Sequence, residues 1–543
     1  MLAETMGQQV ETQEQPRSAM GQLPVWLPYL IALFFAAWQL RDFGHMQVVD
    51  TDAARHGMNG AFIYDLVRMG RVAHPVNFGK EYYAHFPAVS LPFHPPVFPA
   101  IEAVFFAITG VNVVSSRLIV ALAVGICALL LNRLLRRTLW NDLLAACVTV
   151  TILSLWTSQG VATDIMLEFP ALTFTLAALL FLPGIASAHP IRSMLFFAGF
   201  AIVGVWTKQH AAFLVGVPFL FLILSRRTRL LLRWPFWIGS IFVGAGVAGV
   251  MLIWWAFRGM GTPDANGLGT SPSSVQWIFF RNLDLYGDWI TLHLLWLPAI
   301  FALTAVLVSL WAALRGYRQM PDLALYLAWI VSVAGMLMLL GASSGRYLFW
   351  LLPPVITVIY ASLFSGSASL WGERCACCLA AGFALLWFAN GLRFHPDFLQ
   401  GPAEAAALVV RQGAPTRIVY AGQADGNFAF AARSLDTSLR TIVISGEKLP
   451  HEKYDPAAFE AFCREYGVNW IVIEDVRQAR KWSALPAVPP ATMQLVASIP
   501  LQSSRPRWNG QLRVYRFTEP SSHPRNILNV PIRKLQHSLE VQF

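Results

Sequence analysis

Long apolar runs dominate this sequence and limit what it can fold into. Only 13% of its 543 residues are charged, whereas soluble domains carry about 25% charged residues. A membrane-spanning helix needs roughly 17–25 apolar residues, and about eleven runs approach that length: 23–40, 114–132, 143–158, 168–186, 192–207, 209–224, 234–257, 289–313, 322–341, 346–366 and 374–393. The sequence therefore predicts a mainly α-helical protein, a polytopic transmembrane bundle.

The basic residues lie in short clusters between these runs. Examples are "RLLRR" at 133–137, "SRRTRLLLR" at 225–233 and "RGYR" at 315–318. A net charge of +10 raises the question of nucleic-acid binding. However, Lys and Arg clusters at the ends of apolar runs are typical of cytoplasmic loops. The charge pattern therefore indicates membrane topology and argues against a nucleic-acid partner.

This topology divides the chain into three parts. Residues 1–22 form a cytoplasmic tail, and residues 23–393 form the transmembrane domain. The first loop of that domain, residues 41–113, lies on the extracytoplasmic side. With an odd number of spans, residues 394–543 also lie outside the cytoplasm.

The C-terminal part has a different composition from the rest. Short β-branched runs occur at 416–422, 440–445 and 469–475, and 456–467 reads as a helix that ends at a glycine. Strands that alternate with helices predict a small α/β domain. We therefore expect a small extracytoplasmic α/β domain over 394–543.

The first loop should carry two helices next to the membrane. Apolar residues at 62, 63, 66, 67 and 69 form a helical stripe. The run 93–110 is apolar but too short to span, which predicts a helix lying in the membrane interface. The Tyr- and His-rich stretch "NFGKEYYAHFP" is expected to be the turn between them.

Polar side chains concentrate on the same predicted side of the membrane. Each of them has an ordinary explanation, since loop carboxylates are usually solvated and cations at span ends often act as anchors. The histidines lack the spacing of an HExxH zinc site. The set is Asp50, Asp52, His56, Lys80, Glu81, Tyr82, Tyr83, His85, His94, Asp164, Glu168, Lys208, Gln209, His210, Arg346 and Tyr347.

The convergence of acids, bases and cations on one side favours a membrane-embedded enzyme. A transporter would more often place ionisable groups in mid-span and show inverted repeats. A transporter or flippase for a lipid-linked sugar stays open as an alternative, and so does a non-catalytic envelope assembly protein.

Several motifs together resemble a known family. "DTDAARHGMNGAFIYDLVRMGRV" followed by "FHPPVFPAIEAVFFAITGVNVVSSRLIVALA" is similar to the first outer loop of GT-C fold glycosyltransferases, such as the lipid A aminoarabinose transferases and protein O-mannosyltransferases. "ATDIMLEFPAL", "WTKQHAAFLVGVP" and "GRYLFWLLPPV" resemble later family segments, and the resemblance covers about residues 23–366. The matching positions are Asp50 with Asp52, Pro95-Pro96-Val97, Gly110 and Ser116-Arg117-Leu118.

This sequence departs from the family pattern at two places. The acidic pair is usually adjacent, but here Thr51 separates Asp50 from Asp52. Either carboxylate could be the functional one, and the residues that follow favour Asp52 as the positional match. A lysine usual in the Pro-Pro segment is replaced by His94, so the substrate need not be aminoarabinose or lipid A.

The resemblance implies an inverting transferase of the bacterial inner membrane. It would move a hexosyl or pentosyl group from a polyprenyl-phosphate donor to a hydroxyl of a lipid, glycan or protein acceptor. Asp52, Asp50 and Asp164 would be catalytic, and Lys208, Arg346, His94 and Tyr347 would bind the donor phosphate. Six further residues would line the acceptor or donor pocket: His56, Tyr82, Tyr83, His85, Glu168 and His210.

A divalent metal ion is left open as a cofactor, and no other cofactor is expected. Its candidate ligands are Asp50, Asp52, Glu81 and His85. Carboxylates and histidine are ligands that such an ion can use. The pattern fixes neither the metal nor its geometry.

Overall fold

The structure is a computed structural model of the chain. It describes residues 23–42, 48–91, 93–139, 141–257, 272–294, 296–315, 321–340, 344–364, 370–412, 416–449, 455–476, 489–532 and 537–542. The cytoplasmic tail predicted for 1–22 lies outside the described residues.

Helices make up most of the described chain, as the sequence predicted. In chain order the first are α1 Leu27–Trp38, α2 Thr51–Arg68, α3 Pro75–His85, α4 Val97–Thr109, α5 Val113–Leu139, α6 Asp142–Ser154, α7 Trp156–Ala162, α8 Glu168–Phe181, α9 Pro190–Thr207 and α10 Val217–Leu224. The others are α11 Trp234–Phe257, α12 Pro272–Leu294, α13 Trp296–Arg315, α14 Pro321–Leu339, α15 Leu352–Phe364, α16 Leu370–Leu392, α17 Pro402–Val410, α18 Asp425–Leu435 and α19 Pro456–Glu465.

Part of this helical bundle is long and apolar enough to cross a membrane. Within the described residues five helical segments qualify: Val113–Leu139, Glu168–Ala186, Pro190–Thr207, Trp234–Trp255 and Arg374–Leu392. Helices α6 and α7 make a sixth if they count as one span, bent by 65°. The other apolar helices are shorter, so the predicted number of about eleven spans is not confirmed.

Two of the predicted spans are interrupted by local backbone geometry. The run 143–158 breaks at Leu155, whose φ of −60° and ψ of 140° are extended rather than helical. The run 209–224 starts as a 3₁₀ helix, Gln209–Val215, before α10 begins. A 3₁₀ segment within an apolar helix often marks a functional position, and the segment Gln209–Val215 directly follows Lys208 and contains His210.

The first loop is more helical than the sequence predicted. Helix α2 starts at Thr51, well before the apolar stripe, because the Asp50 side chain caps its N-terminus. The predicted turn at 77–87 was wrong, since most of it lies in α3. Proline at the first turn favours that helix, and Phe78 and Tyr82, one turn apart, bury its apolar face.

The C-terminal part forms a mixed six-stranded sheet. Its strands are β1 Leu399–Gln400, β2 Thr416–Ala421, β3 Thr441–Ser445, β4 Trp470–Val476, β5 Met493–Ser503 and β6 Gly510–Phe517. The strand order is β1-β5-β6-β4-β2-β3, with β2 parallel to both β3 and β4 and the other pairs antiparallel. Strands β7 Ile527–Ile532 and β8 His537–Gln542 pair separately.

The three β-branched runs of the sequence form the parallel strands at one side of this sheet. Ile418 of β2 lies opposite Val443 of β3 and Trp470 of β4. Helices α18 and α3 connect the sheet to the first loop, because α18 packs against α2 and α3 packs against β3. The division of the chain into separate domains stays a prediction.

Candidate active site

Asp50 and Asp52 occupy different positions at the start of α2. Asp50 has extended backbone angles, φ −81° and ψ 142°, and its carboxylate accepts a hydrogen bond of 2.8 Å from the backbone N–H of Asp52. This is the geometry of an N-cap, in which a side chain satisfies a free N–H of the first turn. Asp52 lies within that first turn, and its own carboxylate is directed to other partners.

Asp52 belongs to a continuous network of charges. Its Oδ2 atom lies 2.6 Å from a terminal nitrogen of Arg346, and its Oδ1 atom lies 3.2 Å from Arg55. Arg346 Nε is 3.9 Å from Glu168 Oε1, which also accepts a 2.6 Å bond from Lys208 Nζ. We call these five residues the charge network. With three cations and two carboxylates it carries a net charge of +1 when all five are ionised.

The charge network runs from the interior to an accessible surface. The side chains of Asp52 and Arg346 are each 25% exposed, while those of Lys208 and Glu168 are 6% and 0% exposed. Arg346 Nε and Glu168 Oε2 are buried and have no hydrogen-bond partner among the residues that the structure describes. Since buried polar atoms are usually paired, the free donor on Arg346 indicates capacity for a further acceptor.

Breaks in regular helix place these residues side by side. Lys208 is the residue at which α9 ends, and Glu168 is the first residue of α8. Arg346 and Tyr347 lie in a 3₁₀ helix, Gly345–Trp350, which precedes α15. Charged side chains at helix ends can reach a common space without lying in mid-span, where they would be costly.

Two aromatic rings lie next to Arg346 and Lys208. The ring centroid of Tyr347 lies 5.6 Å from Arg346 Cζ and 5.9 Å from Lys208 Nζ, within cation–π range. The ring of His210 lies 4.2 Å from that of Tyr347. The Tyr347 ring therefore contacts both cations on one face of the network.

His56 and His94 form a buried pair next to the carboxylate of Asp52. Their ring centroids are 4.4 Å apart. Burial, together with nearby cations, lowers the pKa of His94 to about 3 and that of His56 well below its ordinary value, although the Asp52 carboxylate opposes the shift at His94. Both rings are therefore neutral near pH 7 and can accept as well as donate hydrogen bonds.

The ionisation of Asp52 depends on Arg346. Burial by itself would raise the pKa of Asp52, but the charge and hydrogen bond of Arg346 outweigh it, so the pKa is lower than that of an ordinary aspartate. The same pairing raises the pKa of Arg346 despite its burial. Asp52 is therefore an ionised carboxylate, held by a guanidinium, near neutral pH.

Asp164 holds the backbone at Asp50 by a hydrogen bond. Its Oδ2 atom accepts a 2.9 Å hydrogen bond from the backbone N–H of Asp50, and its Oδ1 atom accepts one of 2.8 Å from Ile165. Burial raises the pKa of Asp164 to about 6. In this geometry Asp164 holds the backbone at the start of α2, and no ion pair joins it to the charge network among the described contacts.

Three of the residues proposed from the sequence contact the C-terminal part. The Tyr82 hydroxyl donates to Asp65 and accepts a 3.2 Å hydrogen bond from Arg433. Tyr83 accepts from Lys448, and His85 contacts the carbonyl of Thr441. Glu81 is paired with Arg71 at 2.8 Å on the surface. The helical form of α3 turns these side chains away from Asp52, so the structure does not bring them into the charge network.

The proposed metal ligands are also not assembled. Within the described part of the chain, no three His, Cys, Asp or Glu side chains are placed so that they could hold a metal ion together. The arrangement around Asp52 is instead one of carboxylates paired with arginine and lysine.

Three further buried charged residues were not predicted from the sequence. Asp65 and Arg433 form a fully buried ion pair of 2.6 Å across 368 positions of sequence, which no local pattern reveals. Glu102 is fully buried in α4, and its carboxylate has no ion-pair partner among the described residues. That carboxylate could have been noticed, because it is the only charge in the apolar run 93–110.

Comparison with known proteins agrees with this architecture. Residues 93–254 match the family model described as dolichyl-phosphate-mannose-protein mannosyltransferase. Two crystal structures of ArnT from Cupriavidus metallidurans, one bound to undecaprenyl phosphate and one in the apo state, share the fold at TM-scores of 0.56 and 0.55, with 14% and 15% identity. Each alignment covers 91% of this chain and 97% of the ArnT chain.

A third structure is similar over most of the chain. The archaeal oligosaccharyltransferase AglB from Archaeoglobus fulgidus, in complex with an inhibitory peptide and a dolichol-phosphate, gives a TM-score of 0.52 at 12% identity, covering 84% of this chain and 70% of the other. No curated protein matches the sequence. The comparisons confirm the GT-C fold and the resemblance to glycosyltransferases of this type.

Proposed function

We propose that this protein is a membrane glycosyltransferase that moves a sugar from a polyprenyl-phosphate donor to an acceptor hydroxyl. The charge network carries the proposal, because it joins an ionised carboxylate to a partly exposed arginine with a free donor. Two proteins of the same fold were solved with undecaprenyl phosphate or a dolichol-phosphate. A lipid phosphate is an anion that this net positive site is suited to attract.

Arg346 is the best candidate for the first contact with the donor phosphate. Its side chain is more accessible than that of Lys208, and a guanidinium can bind two phosphate oxygens at once. Lys208 lies deeper, where Glu168 fixes its ammonium group. Its ammonium group would attract the phosphate as a point charge from the buried side of the site.

Asp52 is the candidate general base. An incoming phosphate competes with Asp52 for the guanidinium of Arg346. As Arg346 turns toward the phosphate, the interaction that lowers the pKa of Asp52 weakens, and the carboxylate becomes more basic. Donor binding would in this way prepare the base for the acceptor hydroxyl.

The reaction step is a single displacement at the anomeric carbon. The acceptor oxygen forms a bond to that carbon while the bond to the phosphate oxygen breaks, with inversion of configuration. Asp52 takes the proton of the hydroxyl, and the polyprenyl phosphate leaves with the bonding electrons. Arg346 and Lys208 stabilise the charge that develops on this leaving group.

The topology supports a site outside the cytoplasm. The basic clusters of the sequence favour the cytoplasmic side for the opposite loops. We place the protein in the bacterial inner membrane, with the site and the C-terminal α/β part on the extracytoplasmic side. The donor sugar would be a hexose or pentose, and the acceptor a lipid, glycan or protein.

Separate substitution of the two aspartates tests the proposal. Purified protein is given radiolabelled polyprenyl-phosphate sugars and a membrane extract as acceptor. Asp52→Asn should lower kcat by about 10²–10⁴-fold, the usual contribution of a general base. Asp50→Asn should keep most of the activity, because Asn caps a helix as well as Asp does.

A matched control is the surface pair of Asp475 and Arg513, also 2.6 Å apart. Asp475→Asn removes a carboxylate of similar exposure far along the chain and should leave kcat unchanged. Full activity of Asp52→Asn would refute the base assignment. Movement of labelled donor across proteoliposome membranes without sugar transfer would instead identify a flippase.

A further inference from the structure

Helix α18 of the C-terminal part lies directly on the segment that carries the two aspartates. A methyl group added at Gly426 would touch Ala54 at 3.4 Å and lie 3.8 Å from the Thr51 carbonyl. One turn later, the Phe430 ring packs so tightly against Gly57 that a methyl group there would lie 2.8 Å away. The first two turns of α2 and α18 are therefore in close contact.

Asn427 makes the contact that matters most for this segment. Its side chain is 5% exposed, and its Nδ2 atom donates a 2.6 Å hydrogen bond to the carbonyl of Val48. The carbonyl of Val49 lies 3.5 Å from the same atom. These two residues come immediately before Asp50, where the chain enters α2.

The backbone before α2 is thus held from two sides. Asn427 binds the carbonyl of Val48, and Asp164 binds the N–H of Asp50 at 2.9 Å. Asp50 then binds the N–H of Asp52. The position of the Asp52 carboxylate follows from this chain of hydrogen bonds, since it lies in the first turn that they fix.

A buried ion pair locks α18 in this place. Arg433, two turns after Asn427, donates to both oxygens of Asp65 at 2.8 and 2.6 Å. Tyr82 donates to the same carboxylate at 2.9 Å. Because Arg433 and Asp65 are almost completely buried, α18 cannot slide along α2 without breaking this pair.

We propose that Asn427 is a positioning residue for Asp52, and that the C-terminal α/β part contributes to the active site through it. Asn427 touches no group of the charge network in the described contacts and acts only through the backbone of 48–52. The inference rests on the proposed function for its catalytic meaning. A displacement of about 1 Å in a reacting group can cost roughly 100-fold in rate.

The first measurement is hydrogen–deuterium exchange of the full-length protein. Asn427→Ala should speed exchange of the N–H groups of Asp50, Asp52 and Ala54, which are bonded in the native structure. The matched control is Asn509→Ala, which removes a 2.6 Å hydrogen bond to Ser503 N within the C-terminal sheet. The control should leave exchange at 50–54 unchanged.

The second measurement is sugar transfer. Asn427→Ala should lower kcat by about 10–100-fold, while the KM for the polyprenyl-phosphate donor changes less than threefold, since Arg346 and Lys208 are untouched. Asn427→Asp keeps the shape but turns a donor into an acceptor facing the Val48 carbonyl. Its activity relative to the unsubstituted protein should recover as the pH falls, because the protonated carboxyl can donate again.

The outcomes separate the two proposals. Unchanged exchange at 50–54 in Asn427→Ala, or an equal change in Asn509→Ala, overturns the positioning role. If Asn427→Ala does not fold, the Asn427→Asp variant decides the matter. The positioning role is overturned if its activity, relative to the unsubstituted protein, does not change with pH. If no variant and no unsubstituted protein transfers sugar, the proposed function fails while the exchange result still decides the coupling of α18 to α2.

Discussion

Replacing Asp65 by Asn should destabilise the protein strongly. Arg433 is 2% exposed and directs two donors at the Asp65 carboxylate, so the substitution leaves its charge buried without a counter-ion. The bonds from Arg433 to the carbonyl of Asp436 and to the hydroxyl of Tyr82 would stay, but neither partner carries a negative charge. Breaking a buried ion pair in this way costs about 3–5 kcal/mol.

The opposite substitution should cost less. In Arg433→Met the Asp65 carboxylate keeps the hydrogen bond from Tyr82 and the partly exposed Arg68 at 3.0 Å. Because Arg68 still supplies a counter-ion, the loss should fall below the roughly 3–5 kcal/mol of an unpaired buried charge. The double variant Asp65→Asn/Arg433→Met should then be more stable than Asp65→Asn alone, because no unpaired guanidinium remains buried.

The free energy of unfolding can be measured by SDS titration in mixed micelles, with recovery of the native signal checked on dilution. The four proteins of this cycle give the coupling energy of the pair directly. A loss below about 0.5 kcal/mol in Asp65→Asn, within the range of ordinary surface substitutions, would refute the reasoning. A double variant less stable than both single ones would also contradict it.

Three further predictions follow from the geometry. In Arg346→Met, burial should dominate and raise the pKa of Asp52 above its ordinary value, so the acid limb of kcat/KM should move to higher pH; an unmoved limb would contradict the pairing. The pKa of His94 is about 3 in the folded state and about 6.5 when unfolded, so only the unfolded state gains a proton between these values. The free energy of unfolding should fall by up to about 1.4 kcal/mol per pH unit below pH 6.5, and His94→Gln should flatten this slope. Gly57→Ala should destabilise by about 1–3 kcal/mol through its clash with α18, whereas Gly199→Ala, with open space around it, should be neutral or stabilising by circular dichroism melts.

Apolar runs and turn residues predicted the membrane bundle because these signals are local. The same holds for the strands near 416, 440 and 469, where β-branched residues occur in short runs. The signal failed in α3, where aromatic and histidine residues looked like a turn although they bury a helical face. Hydropathy also does not show where an apolar helix breaks, as it does at Leu155.

The candidate site was predicted only in part. Asp52, Lys208 and Arg346 could be proposed because a charge at the end of an apolar run is conspicuous. Their connection through Glu168 depends on contacts over 40 to 294 positions of sequence. Asn427 gave no local signal at all, because an asparagine near the start of a helix is ordinary. Its importance comes only from its hydrogen bond to the carbonyl of Val48, 379 positions earlier in the sequence.

The same burial that makes the charge network suited to a phosphate also explains its carboxylates. Two cations in a largely buried site would be costly without counter-ions, and Glu168 and Asp52 supply them. Glu168 is fully buried and holds Lys208, so it stays a permanent partner. Asp52 is partly exposed, so its arginine can be taken over by an incoming anion. Under the proposed function, the carboxylate that neutralises Arg346 before the donor binds is therefore the one released to act as base, and the release requires the donor.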